Sequence, residues 1–294
     1  MAIPYKTVCD RVLHELQPRA RDIVARRFGL ADFSPQTLEA IGSSYGITRE
    51  RVRQVTDDVI SNVQKKILSV PSHASVFAPV FRSIVSALKK EGTLKREDLL
   101  LDALNARAEK QYVVFLLVIG PDFHYRKETK NTHAFWALHP AVRDIAPFIV
   151  QELVSRLEKE RRTIASDELE AICRSIYAAH STGSAPAPHA HSVFEISKHI
   201  AKSHEGEWGL RSWPEVHPKG IREKAYLVLK REGKPLHFSQ VARRIEDLQR
   251  LLAFLKEKPV LSQTVHNELI KDPRFVLVGR GMYGLSDWGY SEGT

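Results

Sequence analysis

The sequence predicts a mainly α protein with small β-hairpin wings: a helix-turn-helix domain followed by tandem winged-helix domains. Three observations carry this. Apolar residues recur at helical spacing from the first turns of the chain. "TLEAIGSSYGITRERVRQV" (37–55) reads as two capped helices joined through a glycine turn. The remainder repeats a unit of helix, turn, helix, helix and two-stranded hairpin, the pattern of a winged helix.

The bulk properties set the frame. A chain of 294 residues with 43% hydrophobic side chains can bury cores in two to four domains. The net charge of +9 favours a polyanionic partner, and it is unevenly spread. Residues 1–70 hold 11 basic and 8 acidic side chains, residues 71–218 hold 19 and 18, and residues 219–294 hold 14 and 9. Contacts to a polyanion are therefore expected at the two ends. Cys9 and Cys173 stand far apart in helix-like apolar patterns, read as buried thiols in a reducing compartment, and no Cys/His spacing fits a zinc site. "MAIPYKTVCD" has no apolar leader, and the longest apolar run, "YVVFLLVI" (112–119), is too short to span a bilayer. The expectation is a cytoplasmic, nucleoid-associated protein with no membrane partner, no cofactor and no metal.

In chain order, Val8, Val12, Leu13 and Leu16 make the apolar face of a first helix; Ile23, Val24 and Phe28 make a second, closed by Gly29. Thr37 can cap a third helix whose inner face is Leu38, Ile41 and Tyr45, and Gly46 suits the left-handed residue that stops it. Thr48 can cap a fourth, expected over 48–60. At 100° per residue Val52, Val55 and Val59 point inward, while Arg49, Glu50, Arg53 and Gln54 occupy an opposite arc of about 140°, with Arg51 at its flank. Arginine suits guanine, glutamine adenine and glutamate cytosine. The i,i+4 pairs Arg49–Arg53 and Glu50–Gln54 do not neutralise each other, as they would on a merely solvated face. The helix is therefore read as one that presents side chains to DNA bases.

"LQPRARDIVARRFGL…TLEAIGSSYGITRERVRQV", within residues 13–68, resembles region 4 of the primary bacterial sigma factors. The resemblance implies a domain that reads the promoter −35 element in the major groove and docks on the flap of the RNA polymerase β subunit. Carried over by motif position, it makes Arg49, Glu50 and Gln54 base-contacting, and Arg51 and Arg53, with Thr48, contacts to the DNA backbone or a partner. Ala40 and Thr56 depart from the pattern, each standing where a glutamate is usual. Nothing in the chain resembles the sigma regions that melt the −10 element, so it is not expected to start transcription alone.

Beyond residue 70, "LKKEGTLKREDLL" (88–100) resembles "LKREGKPLHFSQVA" (229–242), and "YVVFLLVIGPDFHYR" (112–126) aligns with "TVHNELIKDPRFVLV" (264–278). The two copies end in "HAFWALHP" and "GMYGLSDW", and "EWGLRSWPEVHP" (207–218) is a fainter third ending. The expected domains are 1–70, helix-turn-helix; 71–142, winged-helix-like; 143–218, a degenerate winged helix; and 219–294, a winged helix. "HSTGSAPAPHAHS" (180–192) is small and proline-rich and reads as a flexible linker within the third of these; its His189 and His191 lack a third ligand for a metal.

The last copy resembles a HARE-type winged helix, through Gly233 to Phe238, then Asp272, Arg274 and Phe275, then Gly279 to Leu285. Domains of that type occur in chromatin proteins, in DNA-modification and restriction systems, and in the delta subunit of some RNA polymerases. Its last helix, "SQTVHNELIK", offers His266, Asn267 and Lys271 outward but also Glu268, whereas the equivalent 112–119 is too apolar to read a groove and is expected in a core. Arg280 in the last wing, and Arg126, Lys127 and Lys130 in the first, are placed to meet phosphates. His237 is expected to cap or pack locally.

No motif of catalysis is present, and the chain is read as a non-enzyme with no catalytic residue. The leading expectation is a sequence-specific transcription regulator bound to promoter-like double-stranded DNA through residues 48–60. The alternatives are a delta-like RNA polymerase accessory subunit docked on the β flap, and a DNA-targeting module of a modification or defence system. The oligomeric state is not legible.

Overall fold

The computed structural model describes residues 5–31, 34–90, 92–181, 186–203, 205–251, 259–291 and 293. Tyr5, Val8, Cys9, Val12 and Leu13, at the i, i+3, i+4, i+7 and i+8 positions of one stripe, are all buried and make α1 (Tyr5–His14). Pro18 starts α2 (Pro18–Phe28), where its missing N–H removes nothing, and Gly29 ends it at φ 70°. The Arg21 guanidinium reaches back and donates to the carbonyls of Leu13, His14 and Leu16 at 2.7, 3.0 and 3.1 Å, satisfying the open end of α1. Two further helices follow, α3 (Leu38–Tyr45) and α4 (Arg49–Ser69). α4 runs nine residues past the expected end at 60, because Val63 and Ile67 continue the stripe of Val52 and Val59 and are buried with it.

What covers that extension is the first winged helix. It comprises α5 (Pro71–Lys89), β1 (Leu94–Arg96), α6 (Glu97–Ala103), α7 (Lys110–Ile119), β2 (His124–Arg126) and β3 (Phe135–Ala137), with the antiparallel strands ordered β1-β3-β2. α7 is the expected apolar helix. Tyr112, Val113, Phe115, Leu116, Leu117 and Ile119 are buried in one core with residues of α1, α2 and α4. The Cys9 thiol donates to the Tyr112 carbonyl at 3.5 Å, Gln64 Nε2 to the Val118 carbonyl at 3.2 Å, and the Phe28 and Phe115 rings lie 5.1 Å apart. The division expected at 70/71 therefore does not separate two cores. Residues 1–70 cover the third helix of the winged helix, the one that would otherwise enter a DNA groove.

A second helix–strand–helix–helix–hairpin series follows: α8 (Pro140–Glu160), the single residue Ile164, α9 (Ser166–His180), α10 (Ala190–Ile196), β4 (Ile200–Lys202) and β5 (Trp208–Leu210). Ile164 forms a two-way bridge with Trp208, and β5 pairs with β4, which repeats the β1-β3-β2 order with a first strand one residue long. Part of the expected linker is corrected here. Residues 182–185 lie outside the described residues, but Ala190 and Ser192 belong to α10, where they are buried with Val193, Phe194 and Ile196. Seven residues are too few for a helix by propensity alone, so it is burial that makes this one.

The last copy is complete: α11 (Ile221–Glu232), β6 (Leu236–His237), α12 (Phe238–Leu251), α13 (Ser262–Lys271), β7 (Phe275–Gly279) and β8 (Met282–Leu285), in strand order β6-β8-β7. The chain divides into two compact units, 1–153 with 170–198 and 154–169 with 199–294, so the boundary falls inside the middle copy. Both cysteines are buried free thiols. Desolvation drives the Cys9 thiol far up in pKa, and pushes that of Cys173 up to about 12. Among the described residues no helix is long and apolar enough to cross a membrane.

A polar clasp ties three helices of the first unit. Glu15, just after α1, accepts from Lys66 of α4 at 2.8 Å and faces His73 of α5 at 3.0 Å. The Lys66 contact, then that with His73, holds the Glu15 carboxyl below its ordinary pKa. A depressed acid contributes stability that is present above the ordinary glutamate pKa and is lost as pH falls through the lowered one. The melting temperature of Glu15→Gln should therefore fall less between about pH 5 and pH 3 than that of the unaltered protein. Equal falls in a thermal melt would show that the clasp contributes nothing; the effect is small because the groups are partly exposed.

Candidate nucleic-acid interface

The turn between α3 and α4 is built by its caps. The Thr37 hydroxyl accepts from the Ala40 N–H at 3.1 Å, and the Thr48 hydroxyl from the Arg51 N–H at 3.2 Å. Gly46 takes the left-handed conformation, φ 63°, that ends α3. Beneath the turn Ile23, Ile41 and Val52 are fully buried, with Leu38, Tyr45, Ile47 and Val55 packed around them. The angle between the helices is thus set by one apolar residue from each of α2, α3 and α4.

On the opposite face Arg49, Glu50, Arg51, Arg53 and Gln54 all reach solvent. Their charges are more paired than i,i+4 spacing suggested. Arg53 bonds Glu50 at 2.6 Å, three residues back, and Asp57 at 2.5 Å, four residues on. This corrects the expectation of an unneutralised face: the compensating partners sit at i,i+3 and at Asp57. The Arg53 guanidinium holds the Glu50 carboxyl below its ordinary range, and Glu50 in turn raises Arg53. Arg51 donates to Gln54 at 3.2 Å, and the Gln54 amide in turn donates to the Glu50 carboxylate and helps to hold it low. The Arg49 side chain makes no hydrogen bond among the described residues, and its charge acts on Glu50, helping to lower that carboxyl. Thr48 spends an acceptor lone pair on its cap, and its hydroxyl proton stays available to a phosphate.

Arg280 lies in the other unit, at the tip of the β7–β8 hairpin, and is exposed. Gly281 beside it has φ 70°, and a Cβ there would lie 2.6 Å from His237 Nε2, so the tip requires glycine. His237 itself is a cap: its Nδ1 accepts from the Ser239 N–H at 3.3 Å while its own N–H donates to Gln240 at 3.1 Å, a reciprocal box at the start of α12. On α13, His266 does not face outward as expected. It stacks on Phe238 at 4.6 Å with Tyr283 at its edge. In the first wing Lys127 and Lys130 are exposed, while Arg126 is 3.5 Å from Asp144.

Residues 12–65 match the family model of sigma-70, region 4. Residues 221–288 match the HARE-HTH family model, described as an ASXL and restriction endonuclease HTH domain. Both are DNA-binding helix-turn-helix domains, so the chain carries one at each end, where the positive charge is concentrated.

The sigma-type match spans α2, α3 and most of α4, with only the last turn of α1, and the structure adds supporting residues that the motif did not single out. Tyr45, at the end of α3, donates to Asp22 at 2.6 Å; Asp22 pairs with Arg26 at 2.8 Å, and the Arg19 guanidinium lies 5.2 Å from the Tyr45 ring. This network locks α3 to α2 behind the exposed face. Its signal was the arginine-rich "RARDIVARR", legible as charge but not as a buttress. Thr56, the departure from the usual glutamate, is buried and bonds the Val52 carbonyl at 2.9 Å, away from the exposed face of Arg49, Glu50 and Gln54.

Proposed function

We propose that the protein is a sequence-specific DNA-binding transcription regulator that reads a −35-like promoter element through residues 48–60 of α4. One observation carries the reading. Arg49, Glu50 and Gln54 stand on the solvent side of the first two turns of a capped helix whose opposite face is buried. Arg49 is the residue free to take a guanine edge, Gln54 suits adenine, and Glu50 would accept from cytosine once Arg53 turns to a phosphate. Thr48, Arg51 and Arg53 are the backbone contacts at this end, and Arg280 the one at the last wing.

The test is fluorescence anisotropy on duplexes with a TTGACA core and with a scrambled one, at salt on the order of 0.15 M, where non-specific contacts weaken. Arg49→Ala and Gln54→Ala should each cost roughly 1–3 kcal/mol on the first duplex and little on the second. Unchanged preference in both variants would sink the proposal. The polymerase-accessory alternative is favoured by the near-neutral charge of residues 71–218 and by the apolar helix at 112–119. That helix is covered by α1, α2 and α4, which weakens the support. Co-purification with RNA polymerase that survives both substitutions would restore it.

A further inference from the structure

The three winged-helix series differ in what becomes of their third helix. α7 is buried under α1, α2 and α4, and α10 is seven residues long with five of them buried. Neither presents a face to a groove. α13 buries only Val265 and Leu269. Its exposed residues include Gln263, Thr264, Asn267, Ile270 and Lys271, which at 100° per residue fall within about 120° of one another, opposite the buried pair.

The stripe contains no carboxylate. Glu268 lies beside it, with one carboxylate oxygen paired to Arg222 of α11 and the other 4.0 Å from Lys271 Nζ. Gln263 Nε2 donates to Asn267 Oδ1 at 3.3 Å, one turn on, which orients the asparagine and leaves its Nδ2 free to donate. Ile270, 63% exposed, adds an apolar surface on the same stripe. An asparagine amide matches the N6 donor and N7 acceptor of adenine, and an aliphatic side chain matches the thymine methyl group.

From this we infer that α13 is a second base-reading helix, selective for A·T pairs in the major groove, with Asn267 as the reader, Gln263 as its positioning residue and Ile270 against thymine methyl groups. The wing-tip Arg280 supplies a phosphate contact, and Lys271 a second when its ammonium exchanges Glu268 for a phosphate. The protein then reads two DNA elements of different chemistry: a charged face on α4 for a mixed sequence, and an amide and aliphatic face on α13 for an A·T element. The inference rests on the proposed function only in taking duplex DNA as the ligand.

The full-length protein should be measured on two duplexes that lack a TTGACA core, one centred on an A·T run and one on G·C. Tighter binding to the A·T duplex is expected. Asn267→Ala should reduce that preference about tenfold, and Gln263→Ala by a smaller factor. Replacing adenine by 7-deazaadenine, which removes the N7 acceptor, should reproduce the Asn267→Ala loss in the unaltered protein and add nothing in the variant. Equal binding to both duplexes overturns the inference, as does an A·T preference that survives Asn267→Ala and 7-deazaadenine. Failure here is separable from failure at α4, because Arg49→Ala and Gln54→Ala are scored on the TTGACA duplex and Asn267→Ala should leave discrimination against its scrambled form intact.

Discussion

Replacing Phe115 with alanine is expected to lower the unfolding free energy of the first unit by about 3–5 kcal/mol, the range for a fully buried phenylalanine whose cavity cannot collapse. Phe115 is 0% exposed at the middle of α7, against Phe28 of α2, in the core shared by α1, α2, α4 and the first winged helix. The effect should therefore reach beyond the winged helix. Val59, Val63 and Ile67 of α4 belong to the same core, and the exposed residues proposed to contact bases stand on the same continuous helix. Binding to a TTGACA duplex should weaken together with stability, although Phe115 is itself buried and reaches no base. Urea denaturation of the full chain, followed by circular dichroism, measures the first effect and anisotropy the second. Leu68→Ala, on the same helix but 72% exposed, should change stability by no more than about 0.5 kcal/mol. A loss below about 1 kcal/mol at Phe115 would mean that the two domains do not depend on a common core.

That common core marks the limit of what the sequence made legible. The apolar run 112–119 announced burial, and it is buried, but an all-apolar helix carries no mark of its cover. The cover is drawn from helices as far away in sequence as Tyr5, joined through contacts such as Cys9 to Tyr112 that no local pattern encodes. The turn of the helix-turn-helix, though not the end of α4, was readable to the residue, because its signals are local: Thr37 and Thr48 as caps, Gly46 as the left-handed stop, and Ile41 and Val52 as the inner residues. α10 was hidden for the converse reason. "AHSVFEI" follows a proline-rich stretch, is too short to persist alone, and exists because it is buried.

The exposed face of α4 shows the same division. Exposure of Arg49, Glu50 and Gln54 followed from periodicity alone. The pairing of Arg53 with Glu50 and Asp57 lay within reach of the sequence, since i,i+3 contacts are helix neighbours as i,i+4 contacts are. His266 was not within reach: its outward position on a helical projection is overridden by Phe238 and Tyr283, which arrive from other elements of the winged helix and draw the imidazole into a ring stack.

Gly42→Ala is expected to destabilise the helix-turn-helix by about 1–3 kcal/mol, although glycine to alanine inside a helix ordinarily stabilises by roughly 0.5–1 kcal/mol. The sign reverses because of what lies beside Gly42. A Cβ at this position would stand 2.6 Å from the Ile47 carbonyl oxygen and 3.4 Å from the Arg49 nitrogen. Both are backbone atoms of the turn into α4, and the Ile47 N–H already donates to the Gly42 carbonyl at 3.0 Å, so the segment cannot retreat without breaking that bond. Relief requires α3 and α4 to part, which moves Ile41 and Val52 off Ile23 and tilts the face that carries Arg49 and Gln54. Gly46→Ala separates this packing effect from backbone strain. No atom lies within 4 Å of a Cβ at Gly46, and only its positive φ opposes a side chain there. Thermal melts and anisotropy on the TTGACA duplex should show Gly42→Ala losing DNA binding by more than its stability loss explains, and Gly46→Ala losing stability with the bound geometry kept. If Gly42→Ala instead proved neutral or stabilising, the close approach that sets the angle of the reading helix would be absent in solution.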